Sequence, residues 1–96
     1  MAKAREESTL VPTQFRLAGM DWRVVFVETL ADLGQCDNDT NTISIRQGMS
    51  RQQSEQAFCH ELVHAILYTM GNTDDHDEKM VEGFAQLLYQ YLRGTT

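Results

Sequence analysis

His60 and His64 bracket Glu61-Leu62-Val63 in an HExxH pattern, an arrangement suited to metal-assisted hydrolysis. Residues four apart in a helix lie one above the other, so the two imidazoles converge on one point and can hold one metal ion. Glu61 lands beside that point but about 80–100° around the helix. There it can take a proton from a metal-activated water rather than act as a ligand. The chain has three histidines, and two of them occupy this pattern. A zinc ion held by two histidines needs a third protein ligand, with a position left for water. Glu78 and Glu82, four residues apart downstream, offer it. On a helical wheel Val81, Phe84, Ala85, Leu88 and Leu92 form an apolar stripe expected to face the first helix, with Glu78 roughly 80° and Glu82 roughly 120° from its centre. Glu78 is therefore the first choice of ligand. Glu82 is either the alternative ligand or a carboxylate that orients a histidine from behind. The third histidine, His76, is a candidate ligand or transition-state stabiliser, against the plainer reading of a solvated residue in a helix's first turn. Asp74, Asp75 and Asp77 suit a helix N-terminus without any second cation. Tyr68, Tyr89 and Tyr91 read as packing.

These side chains need elements to position them. Phe15 to Val27 is rich in aromatic and β-branched residues and broken by Gly19, so it reads as a β-hairpin. Leu33 to Asn41, with Gly34, Asp37, Asn38 and Asp39, reads as a polar loop, and Thr42-Ile43-Ser44-Ile45 alternates as a half-buried strand does. After Gly48 the period changes. Ser50 and Gln53 form a capping box, no Gly or Pro interrupts the chain as far as Met70, and Gly71 stands where a C-terminal glycine belongs. Thr73 or Asp74 is expected to cap a second helix that ends at Arg93-Gly94. Within the first helix Ala57, Phe58, Val63, Ala65, Ile66 and Leu67 supply the apolar flanks. The fold expected is α+β, a small antiparallel sheet followed by two long helices. Residues 1–12 read as a flexible tail and residues 13–94 as one domain.

Composition narrows the function classes. Fourteen acidic residues against eight basic ones give a net charge of −6 in 96 residues, which argues against a nucleic-acid partner and against an anionic membrane surface. No apolar run is long enough to span a membrane. Lys3 and Arg5 are not followed by the apolar stretch of a signal peptide, so the expected location is the cytoplasm. Cys36 and Cys59 then read as free thiols, with Cys59 a small buried apolar residue.

The HExxH helix, followed by Glu78-Lys79-Met80-Val81-Glu82-Gly83-Phe84-Ala85-Gln86-Leu87-Leu88, resembles zincin metallopeptidases of the gluzincin type, and most of all the small ImmA/IrrE-like peptidases of bacteria and phages. Their last helix typically reads Glu-x-x-Ala-Asn-x-Phe-Ala-x-x-Leu-Leu. The resemblance covers about residues 20 to 92, but its specific motifs lie in the two helices. It implies Glu78 as the metal-ligand Glu and Glu82 at the following polar position. Val81 stands in place of Ala, Glu82 in place of Asn or Asp, and only thirteen residues separate His64 from Glu78. Glu82-Gly83-Phe84-Ala85 also resembles the Glu-Gly-Phe-Ala segment of gluzincin aminopeptidases, in which that Glu is the ligand, so both alignments stand. The family's N-terminal helix behind the sheet has no clear counterpart, since Glu28 to Leu33 offer one turn at most. By resemblance the substrates would be regulatory proteins such as repressors, and the origin a phage or prophage.

The expectation is a zinc metalloendopeptidase with one Zn²⁺ per chain, held by His60, His64 and Glu78. Glu61 is its general base, a polypeptide is its substrate, and Thr42 to Ile45 is the sheet edge that binds an extended peptide. A second copy of the chain could complete the cleft. Two alternatives remain: a zinc-stabilised interaction module that cleaves nothing, and a helical adaptor in which the motif arises by chance.

Overall fold

The computed structural model describes residues 10–94. Four strands, β1 (Gln14–Leu17), β2 (Met20–Val27), β3 (Gly34–Asp37) and β4 (Thr42–Arg46), precede two helices, α1 (Arg51–Thr69) and α2 (Glu78–Arg93). The α+β architecture matches the expectation, but the sheet is mixed rather than antiparallel. Its order is β1-β2-β4-β3. β1 pairs antiparallel with β2 and β3 with β4, while β2 and β4 run parallel, with Val24 opposite Ile43 and Phe26 opposite Ile45. Side-chain chemistry accounts for the order. Ile43 and Ile45 are fully buried, so the strand that carries them gains most from a central position, and the polar Gly34-Gln35-Cys36-Asp37 segment takes the edge.

The expected polar loop over Leu33–Asn41 therefore contains a strand. Asp37 Oδ1 accepts from the backbone N–H groups of Asp39 and Thr40 at 2.9 and 3.3 Å, and Asn41 takes a positive φ of 52°. The turn residues make a hairpin loop rather than a longer connection. The β1–β2 hairpin turns through Ala18 and Gly19, both with positive φ (49° and 80°), as a two-residue turn matched to sheet twist requires.

The expected tail to Pro12 ends sooner. Val11 is buried in the core beside Trp22, Val24, Ile43, Ile45, Ala57, Phe58 and Ala65, and the Thr13 carbonyl accepts from Val24 N–H. Apolar Leu10 and Val11 have a surface to cover. The rest of the expected tail, residues 1–9, lies outside the described residues.

α1 lies between the sheet and α2. Its Ala57, Phe58 and Ala65 join the sheet core, whereas Cys59 and Val63 pack on Val81 and Ala85 of α2. The capping box is present: Ser50 Oγ accepts from Gln53 N–H and the Gln53 side chain accepts from Ser50 N–H. Past the other end Gly71 has a φ of 94°, the left-handed turn that stops a helix. α2 starts later than expected. Asp77, not Thr73 or Asp74, is its N-cap, accepting from the N–H groups of Lys79 and Met80. Residues 72–77 are spent on the turn, where Asn72 N–H returns to the Leu67 carbonyl. The buried stripe of α2 is also narrower than the wheel suggests. Val81 and Ala85 are buried and Leu88 is partly so, but Phe84 and Leu92 are exposed, because a single neighbouring helix covers only the strip that faces it.

Glu55 of α1, fully buried, ties the helices together. Its Oε1 accepts from the Tyr89 hydroxyl at 2.8 Å and lies 3.5 Å from Arg93 Nε. No helix among the described residues is long and apolar enough to cross a membrane.

Candidate metal centre

α1 presents three faces, and the third carries His60, Glu61 and His64 over a cleft between β3 and the start of α2. The cleft has a volume of about 680 Å³ and is lined by Gly34, Gln35 and Cys36 of β3, by His60, Glu61, His64 and Tyr68 of α1, and by Glu78 and Glu82 of α2. Because α2 begins at Glu78, that side chain stands where the helices meet. Its Oε1 is 3.2 Å from His60 Nε2 and its Oε2 is 3.2 Å from His64 Nε2. Ligand atoms of His60, His64 and Glu78 all lie within 4.8 Å of one another, and the three could hold a metal ion. A carboxylate that faces two imidazole nitrogens requires positive charge between them, which protons or a metal ion can supply.

Glu82, one turn along, reaches the other side of His60. Its Oε1 is 2.8 Å from His60 Nδ1, and its Oε2 accepts from Gln86 Nε2 at 2.8 Å. The two glutamates thus take different nitrogens of one ring. Burial lowers the His60 pKa, but the Glu82 hydrogen bond and the charges of Glu61 and Glu82 outweigh it, and the net shift is upward. For His64 burial wins, and its pKa is lowered. The hydrogen bond with His60 leads in holding the Glu82 carboxyl below its usual range.

Glu61 turns from the imidazoles toward β3. It is buried, and burial, helped by the charges of Glu78 and Asp32 and opposed by His60, pushes its pKa up to about 7. The wall behind it is Gly34. A Cβ built there would sit 2.9 Å from Glu61 Cγ and 3.3 Å from the Ser44 carbonyl oxygen. Glycine is thus required for steric reasons, so that the edge strand can approach the carboxylate. By type Gly34 reads as a turn residue; the signal for a strand here is the pairing potential of Gly34–Asp37 with Thr42–Ile45 across a short Asn/Asp-rich loop.

The third histidine is close by but outside the trio. His76 Nδ1 lies 2.6 Å from His64 Nδ1 and His76 Nε2 lies 2.8 Å from the Asn72 carbonyl oxygen, which leaves neither nitrogen free for a metal ion or an oxyanion. Tyr68 packs on the His76 ring, with centroids 4.6 Å apart. Tyr91 is exposed and away from the cleft.

Thr42 to Ile45, expected at the sheet's edge, is an interior strand with neighbours on both sides. The strand edge that borders the cleft is that of β3. Comparison with known proteins places the chain in no group: no family model, curated protein or solved structure matches it.

Proposed function

We propose that the chain is a zinc-dependent metallopeptidase that hydrolyses a polypeptide laid along the free edge of β3. The observation that carries this reading is the convergence of His60 Nε2, His64 Nε2 and the Glu78 carboxylate on one point, beside a buried carboxylate that ionises near neutral pH. Two nitrogens and a carboxylate are a ligand set of zinc sites that keep a position open. Neighbouring ligands of a tetrahedral zinc ion stand roughly 3.3 Å apart, given bonds of about 2.0–2.1 Å. Each imidazole meets a different oxygen of the Glu78 carboxylate at 3.2 Å, and one ligand atom from each of the three residues lies within 4.8 Å of the others, a donor set and spacing that suit the ion. Bound there, zinc would polarise a scissile carbonyl and lower the pKa of a water molecule.

The chain's own residues account for the rest. His60 is held by Glu82 and His64 by His76, each from behind, which fixes how the imidazoles face the cleft. Glu61 takes a proton from the attacking water and returns it to the leaving amine. A carboxylate with a pKa near the working pH can do both. Among the described residues β3 has its outer edge unpaired in the sheet order, so an extended peptide can add to it through main-chain hydrogen bonds. The scissile bond would then pass within reach of Glu61, which lies against Gly34 at the start of that strand. Cys36 and Cys59 are free thiols, which suits a reducing compartment such as the cytoplasm.

Glu61→Gln tests the proposal. The variant is expected to bind zinc as the wild type does and to lose cleavage of a peptide library. Wild-type protein loaded with zinc that cleaves no peptide, yet binds a polypeptide equally well with and without the substitution, would favour a zinc-stabilised interaction module instead.

A further inference from the structure

α2 carries two apolar stripes, and α1 covers one of them. Val81, Ala85 and Leu88 pack against Cys59 and Val63 of α1. Met80, Phe84, Leu87 and Tyr91 form the other, recurring at the four-three-four spacing of a seam that packs lengthwise on a second helix. At about 100° per residue these four side chains fall within roughly 60° of one another around α2. They are 43%, 55%, 71% and 77% exposed. Gly83 and Gln90 flank them on one side and Val81 and Leu88 on the other, so no charged residue stands in or directly beside the stripe. Glu78 and Glu82, which line the cleft, lie roughly 150–170° around the helix from its centre.

Gly83 marks the same face. Glycine in the middle of a helix is unfavourable relative to alanine. Gly83 does not take a positive φ, and a Cβ there would meet nothing within 4 Å. Neither the backbone nor packing within the chain calls for glycine, whereas a second helix lying along Phe84 and Leu87 could approach more closely because of it. The area is sufficient as well. With roughly 150–250 Å² for an aromatic side chain, the four exposures leave on the order of 500 Å² of stripe uncovered in each chain. A patch of that size is commonly an interaction site, and two of them face to face would bury about 1,000 Å², where specific interfaces begin.

We propose that this stripe docks a second copy of the chain, α2 lying antiparallel to α2 about a two-fold axis midway between Phe84 and Leu87. In that register Phe84 lies opposite the partner's Leu87, and Met80 opposite the partner's Tyr91. The pairing is reciprocal, as a two-fold interface requires. Every layer holds one aromatic and one aliphatic or thioether side chain, and the outer layers set a sulfur against an aromatic ring. A parallel pair would instead place like on like, with two aromatic rings in one layer and two leucines in the next, and would align the helix dipoles. An uncharged seam is also what allows two chains of net charge −6 to meet. Because the stripe faces away from Glu78 and Glu82, the second copy leaves the cleft open rather than completing it, and the proposal does not rest on the metal reading.

The test is equilibrium sedimentation of the whole chain over a series from low to several hundred micromolar, at physiological ionic strength, where repulsion between the chains is screened. Wild type is expected to show a reversible monomer–dimer equilibrium with a dissociation constant in the micromolar range. Phe84→Glu and Leu87→Arg each put a charge into the seam at a position more than half exposed in the single chain, so the fold should survive, which circular dichroism checks. Each is expected to weaken association about 100-fold, whereas Asn38→Asp, a charge added in the β3–β4 loop, should leave it unchanged. An equimolar mixture of Phe84→Glu and Leu87→Arg should dimerise again. The antiparallel register sets the introduced carboxylate against the introduced guanidinium in one central layer and keeps Leu87 on Phe84 in the other. A wild type that stays monomeric throughout would overturn the proposal and leave the stripe to a partner of different sequence or to residues 1–9. A dimer that both variants preserve would overturn it by placing the interface elsewhere. Variants that dissociate alone and fail to pair when mixed would overturn the antiparallel register.

Discussion

Replacing Glu61 by Gln tests the electrostatics of the cleft apart from any catalysis. Glu61 is 8% exposed, Gly34 closes one side of it, and the negative charges of Glu78 and Asp32 act on it, so its pKa rises from 4.5 to about 7. A tenfold change in proton affinity is worth about 1.4 kcal/mol between the two protonation states. At pH 8, with no metal bound, the ionised carboxylate thus costs the folded state about 3 kcal/mol relative to the neutral acid. The native state binds the proton more tightly than the unfolded chain. The stability contributed by the neutral acid is therefore fully present below pH 4.5 and is lost as pH rises through 7. Gln has nearly the same shape and no charge. In the presence of a chelator, Glu61→Gln should match the wild type in urea unfolding at about pH 4.5 and exceed it by up to about 3 kcal/mol at pH 8, with the gap opening between those values. A gap independent of pH, or a variant less stable throughout, would show that burial does not raise the proton affinity of Glu61.

Other expectations follow from single contacts. In Gly34→Val the new side chain would begin 2.9 Å from Glu61 Cγ, 3.2 Å from its Oε2 and 3.3 Å from the Ser44 carbonyl oxygen, so β3 and α1 must separate. A loss of about 1–3 kcal/mol in urea unfolding, together with loss of peptide cleavage, is expected, and wild-type behaviour would contradict the role given to this glycine. Tyr89→Phe removes the hydroxyl that donates to the buried Glu55 carboxylate at 2.8 Å. Losing that hydrogen bond to a buried carboxylate should cost about 1–3 kcal/mol of stability without altering zinc affinity, since Glu55 lies outside the cleft.

Local signals in the sequence located α1 closely. The Ser50–Gln53 capping box, the uninterrupted run to Met70 and Gly71 are contacts between near neighbours, so spacing alone carries them. The β1–β2 hairpin is local in the same way. Sheet order is not, because β4 inserts between β2 and β3 and finds a parallel partner that no turn dictates. The late start of α2 had a similar cause. Several residues from Thr73 to Asp77 are good caps by type, and the one used is decided by how much chain the turn consumes, with Asn72 bonded back to Leu67. The wheel ranked Glu78 above Glu82 by a modest angle. What separates them in space is position along the axis: Glu78 opens α2 and reaches both Nε2 atoms, whereas Glu82, a turn later, meets Nδ1 of His60. The same wheel could not show that Phe84 would remain exposed, because the width of a buried stripe depends on the neighbour and not on the helix.

In the proposed site His60, His64 and Glu78 hold a metal ion while Glu82 orients His60. Zinc content by plasma mass spectrometry, on purified wild type, Glu78→Gln and Glu82→Gln after equilibration with zinc, tests it directly. One zinc ion per chain is expected in the wild type and none in Glu78→Gln, whereas Glu82→Gln should retain zinc but bind it about 10–100-fold more weakly. A folded wild type that takes up no zinc, or zinc lost with Glu82→Gln and kept with Glu78→Gln, would contradict it.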